Sequence, residues 1–199
     1  RGARVAQDPE ARAVHARVRV EHARDHAPHA ARHDRARTRR RAPVERAGLE
    51  RGVERARAEL DAARRDFDAA VAASLAKPWD EPVDGSSTRT DLLAHIEWWE
   101  RRSSYVIGVL LSGGTPHRTD EDLDTLNARI AREEQGRGAA EVRSSEAGAW
   151  WELRTAVAAL SERDLYDAAA FPWLEGQPLA NTVKVDSVLH WADHVRHLG

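Results

Sequence analysis

From Leu49 onward the chain repeats apolar or small residues three and four apart: Val53, Ala56, Leu60, Ala63, Phe67, Ala70 and Ser74, with charges between them. That spacing lays a single apolar stripe along a helix of about seven turns. The stretch "KPWDEPVDGSS" ends it, because Pro78, Pro82 and Gly85 break helical geometry and push the preceding residues out of the α region. A second helix opens at "STRTDLLAH", with Thr88 as cap and Asp91 three residues later. Leu92, Ile96, Trp99, Val106 and Leu110 give its buried side, and "SGGTP" stops it.

A short capped helix follows in "TDEDLDTLNARIAREEQ". The third long helix is "SSEAGAWWELRTAVAAL", with Trp150, Leu153, Val157 and Leu160 on one side. "SERDLYD" starts a short turn capped by Ser161 and Asp164, "FPWLEGQP" is an aromatic loop, and the last helix runs from about Thr182. No alternating strand pattern extends beyond a few residues, and no repeat of 20 to 50 residues is present. The pattern predicts an all-α protein, an antiparallel four-helix bundle with at least one long crossover.

Composition divides the chain. Residues 1–50 carry thirteen arginines against seven acids; the remaining 149 carry eighteen basic residues against twenty-six acidic ones, so the overall net charge of −2 hides a basic arm. The arm, residues 1–48, has no aromatic residue, no leucine and five of the ten histidines. It cannot bury enough apolar area to offset its ordering entropy, so it is expected to be disordered or loosely helical. Interspersed acids and the lack of aromatics argue against tracking nucleic acid, and a targeting peptide would be poorer in acids. The chain also has no Met and begins with Arg, which leads to the expectation that the functional protein starts near Val53 and that residues 49–199 form the bundle. No window resembles a membrane span or secretory segment, and the expected location is the cytoplasm. With no cysteine, any metal must be held by His, Asp or Glu.

The candidate chemistry lies in "VLHWADHVRH". His190 and His194 are spaced i, i+4, which puts both rings on one helix face, about 5 to 6 Å apart at Cβ. Two ligands are too few, and His95 of "DLLAHIEWWE", beside the stripe of Leu92 and Trp99, is the third donor. Such a triad would hold a divalent metal (Zn, Ni or Fe) with a coordination position left for substrate. Periodicity gives a competing expectation. At 100° per residue Val185, Val188, Leu189, Ala192 and Val195 share one side of the last helix, and His190, His194 and His197 lie almost opposite, facing water.

Seven tryptophans against two phenylalanines and two tyrosines suggest a pocket. Trp99, Trp173 and Trp191 are its expected lining, with Trp98 and one of Trp150 and Trp151 at the surface. Glu97, Glu100 and Asp193 flank the triad as candidate base or partner to an imidazole, so the catalytic candidates are His95, His190, Glu100 and Asp193.

"DLLAHIEWWE" resembles the second-helix signature of DinB-like four-helix bundle proteins, and "LNARIAREEQ…LSERDLYD" and "HWADH" are similar to segments of the ClbS/DfsB branch. The resemblance covers roughly residues 52–199. It implies the bundle fold and, in DinB relatives generally, a divalent metal on the positions matched here by His95, His190 and His194. Some relatives are transferases or isomerases that use a small thiol; the ClbS branch resembles a metal-free group that opens a reactive ring in a genotoxin. Together these readings point to a hydrolase or transferase that detoxifies a small electrophile, with a homodimer as the expected assembly. The alternative is a non-catalytic ligand-binding or stress-associated bundle protein.

Overall fold

A computed structural model describes the backbone of residues 38–198 and the side chains of residues 52–198. The described chain is mostly helical. Helix α1 spans Thr38–Ser74, α2 Arg89–Leu111, α3 Leu123–Glu133, α4 Ala139–Ala159 and the short α5 Glu162–Tyr166. A 3₁₀ turn at Pro172–Leu174 precedes α6 at Leu179–Lys184. The helical path then continues through a π-helical turn at Val185–Leu189 into α7 at His190–Leu198. None of the described helices is long and apolar enough to cross a membrane.

Residues from Val53 onward form one compact unit. The expected arm, residues 1–48, lies outside the described residues up to position 37. Where description begins, at Thr38, the backbone is already helical, ahead of the apolar stripe that starts at Leu49.

The stripe of α1 is buried as its spacing dictates: Val53, Leu60, Phe67 and Ser74 are inside, with Ala56, Ala63 and Ala70 packed against the core. Thr88 and Asp91 form the reciprocal capping box at the start of α2, satisfying two amide donors that the first turn leaves open. Ser161 and Asp164 do the same for α5. Between α1 and α2 the chain makes a two-stranded hairpin, β1 Pro82–Asp84 and β2 Ser87–Thr88, turned at Gly85 with φ of 59°. This strand pair is too short to register as an alternating pattern. Trp79 ties it down: its indole donates to the Ser74 carbonyl at 3.1 Å, and its own carbonyl accepts from Thr90 Oγ1 at 3.0 Å.

Helix α2 is the central element. Beyond the expected Leu92, Ile96, Trp99, Val106 and Leu110, it also buries Leu93, Ala94, Glu97, Glu100, Ser103 and Ile107. Burial on so much of its circumference follows from its neighbours: α3, α4 and α7 all pack on it, and α1 reaches it through Arg64. A second small cluster of Trp99, Leu126 and Ile130, with Trp98 and Leu123 against it, seats α3 on one side of α2.

Candidate metal centre

Each histidine of the centre is placed by a feature of its own element. His95 stands in the second turn of α2, one residue from buried Ala94 and Ile96. His190 is the first residue of α7 and follows directly on the π-helical turn; His194 is one α-turn later. The π turn holds one residue more than an α turn, so it shifts the phase of everything after it relative to α6. The expectation that these histidines face water assumed an unbroken 100° step, and the structure corrects it. Ser187, His190 and Trp191 are buried, whereas Ala192 is exposed and Val185, Val188 and Leu189 are only partly covered.

The wide turn is fastened at its polar inner face. Ser187 Oγ donates to the Val183 carbonyl, and Ser103 Oγ of α2 donates to Asp186 Oδ2 at 2.8 Å. Since His95 meets α7 at His190 and His194, and Ser103 meets the π turn at Asp186, the two helices run antiparallel along this contact.

The result is a cluster of three imidazoles. His95, His190 and His194 each offer one ring nitrogen, and these atoms all lie within 4.8 Å of one another, close enough to hold a metal ion. His190 Nε2 and His95 Nε2 are 3.0 Å apart. Two nitrogens bound at ~2.0–2.1 Å to one tetrahedral ion stand about 3.3 Å apart, so that pair already has ligand spacing. Ring centroids separate by 4.9 Å for His95 and His190, 5.3 Å for His95 and His194 and 4.7 Å for His190 and His194, each pair meeting edge to face. Although His194 as a whole is partly exposed, its Nδ1 is out of contact with solvent and has no hydrogen-bond partner among the described residues. Burial, assisted by the neighbouring His197, pushes its pKa down to about 4. At neutral pH it is therefore an uncharged imidazole with a lone pair to give.

Trp99 borders this cluster. Its ring lies edge-on to His95 at 6.3 Å and to His190 at 6.1 Å, and the Arg102 guanidinium sits 5.9 Å from its centroid. Trp191 and Trp173 do other things. Trp191 is 1% exposed, stacks on Phe67 at 6.0 Å and meets Trp150 edge-on at 5.4 Å, which makes it part of the core behind the imidazoles. Trp173 packs against the main core under the Arg118 guanidinium and has no ring contact with the histidines among the described residues. Of the pair Trp150 and Trp151, the second is the surface residue, 61% exposed.

The acidic candidates also separate. Glu97 is saturated by its neighbours, accepting from Arg101 of its own helix at 3.1 Å, from Arg137 just before α4 at 3.0 Å and from Ser145 of α4. Asp193 is half-buried and makes no ion pair or hydrogen bond among the described residues. Glu100 is fully buried in a core network: Oε1 accepts from the Trp191 indole at 3.0 Å and from Arg64 Nη1 at 3.2 Å. Arg64 in turn grips Glu146 of α4 with both Nη atoms. Burial pushes the Glu100 carboxyl well above the usual range, and the nearby Glu146 charge pushes it further. Its Oε2 has no hydrogen-bond partner among the described residues, a position where a full negative charge would go unanswered.

No family model, curated protein or solved structure matches the chain.

Proposed function

We propose that the chain is a metal-dependent enzyme built on a DinB-like four-helix bundle, a hydrolase or transferase acting on a small electrophile. The observation that carries this reading is the convergence of three imidazole donors from two helices, α2 and α7, far apart in sequence. The donor set fits a divalent ion such as Zn, Ni or Fe, which imidazole suits and which needs no thiolate. Two of the three donors already stand at ligand spacing, and the third presents a buried, unpartnered nitrogen. Closing the set around one ion requires a shift on the order of 1 Å.

His95, His190 and His194 would hold the metal, which when bound supplies a Lewis acid to a small molecule beside it. The chain's own residues do the rest. Trp99 walls the imidazoles on the α3 side, Trp191 excludes water from behind them, and the fastening of Asp186 by Ser103 fixes the phase of α7.

The test is zinc loading of chelator-treated protein, followed by calorimetry and elemental analysis. One zinc per chain is expected, with affinity reduced at least ~100-fold in His190→Ala, since removing a ligand costs no less than the ~10–100-fold lost with a mere outer-shell partner. The five histidines before residue 38 are present in both proteins, so only the difference between parent and variant counts. Consumption of a small epoxide should depend on the bound metal and vanish in the same variant. Equal zinc binding by His190→Ala and parent would overturn the metal centre. In that case the 3.0 Å contact between His95 and His190 is a hydrogen bond between imidazoles and nothing more.

A further inference from the structure

His95, Trp99 and Arg102 are spaced i, i+4, i+7 on α2, which stacks them along one face of the helix. The Arg102 guanidinium lies 5.9 Å from the centroid of the Trp99 ring, whose edge meets His95 and His190. Arg102 is half-buried, yet it makes no ion pair and no hydrogen bond among the described residues. Four other arginines, of α1, α2, α3 and the loop before α4, are neutralised by acids. Arg101 pairs with Glu97 and Glu152, Arg64 with Glu100 and Glu146, Arg129 with Glu121 and Glu133, and Arg137 with Glu97, Glu134 and Glu141. Asp186, on the π turn opposite this part of α2, has its carboxylate bound by Ser103 instead.

A guanidinium carries five donors in a planar fork, of which a ring contact uses none. Held on Trp99 by cation–π attraction, it is fixed in place without being neutralised, a preorganised cation beside the imidazole cluster. A metal ion in that cluster would add positive charge without adding a counter-ion.

Resting on the metal-centre reading, we infer that the site takes a small molecule with two ends: one that approaches the metal at the imidazoles, and an anionic group of carboxylate or phosphonate kind that pairs with Arg102. The stem between them lies against Trp99. Arg102 is thereby the residue that selects charged over neutral substrates. The Cα atoms of His95 and Arg102 are about 10.5 Å apart along the helix, and the arginine side chain reaches back over part of that length, so the stem is a few methylenes long.

A series of hydroxamates tests this. The hydroxamate end chelates zinc in every compound; the other end is a carboxylate, a phosphonate or a neutral carboxamide, on stems of two to six methylenes. Binding to the zinc-loaded full chain is followed by tryptophan fluorescence. At one or two stem lengths the anionic compounds should bind about tenfold more tightly than the carboxamide of the same length. Arg102→Gln should erase that difference and Arg102→Lys should keep part of it, while the carboxamides bind all three proteins alike. A preference confined to the carboxylate or to the phosphonate names the anion. Equal affinity of charged and neutral compounds at every length, or an undiminished preference in Arg102→Gln, would overturn the inference while leaving the metal centre intact. A chain that takes up no zinc at His190 fails at the earlier step, and the zinc titration shows which has happened.

Discussion

A single buried carboxyl, Glu100, shows how one residue couples stability to pH. Two carboxylates, Glu100 and Glu146, meet one guanidinium, Arg64, in a region where all three are at most 5% exposed. One positive charge cannot balance two negative ones there, and the less well paired Glu100 keeps its proton. The sign follows from proton counting. The folded chain holds a proton that the unfolded chain releases above the ordinary 4.5, so this group favours folding most below that pH. Its contribution is lost as pH rises toward the elevated folded value. Glu100→Gln mimics the protonated form and keeps an acceptor for the Trp191 indole. Urea titrations should therefore show the variant gaining on the parent from pH 5 to pH 8, and a gain of equal size at both would contradict the assignment. Burial holds the Glu146 carboxyl above its ordinary range too, but Glu146→Gln breaks the two-pronged bond to Arg64 and should cost about 3–5 kcal/mol at pH 7.

At the scale of elements, the parts that local chemistry determines are legible in the sequence, and those set by packing are less so. The α1 stripe and both capping boxes needed only residue type and spacing. The Thr88 cap is accordingly testable by itself: Thr88→Ala should lower stability by about 1 kcal/mol in chemical denaturation. Zinc affinity should stay the same, because the cap lies about two turns before His95. The imidazole triad was legible too, through the i, i+4 pair and a third histidine on the buried side of α2. The phase of the last helix was not, since a π turn has no reliable residue signature and the valines at 185 and 188 mimic a buried face. Arg64 and Glu146 were passed over although a signal existed. Arg64 stands in phase with Leu60 and Phe67, and Glu146 with Val142, Ala149 and Leu153, and a charge in a buried stripe points to a buried partner.

For the molecule as a whole, the centre joins the middle of the chain to its end. His95 belongs to the central helix on which α3, α4 and α7 pack, and α7 is held to it by few other polar links besides the Ser103 and Trp191 contacts. An ion bound by both helices can bind only when α7 is docked, so its binding energy adds directly to folding. Zinc at a hundred times its dissociation constant should stabilise the chain by about 2.7 kcal/mol, and a tenfold increase should add about 1.4 kcal/mol more. Thermal unfolding checks this, with a midpoint that climbs with zinc concentration in the parent and returns to its starting value on chelation. His194→Ala should unfold at a temperature independent of zinc, since the docked and undocked states of α7 then bind the ion equally poorly. Protease cleavage discriminates further: with zinc, sites in α7 should become protected before those in α4, whose packing on α2 does not involve the ion. Simultaneous protection of both helices would mean that α7 never opens alone, and that the ion reports on the fold of the whole compact unit and not on one closing helix.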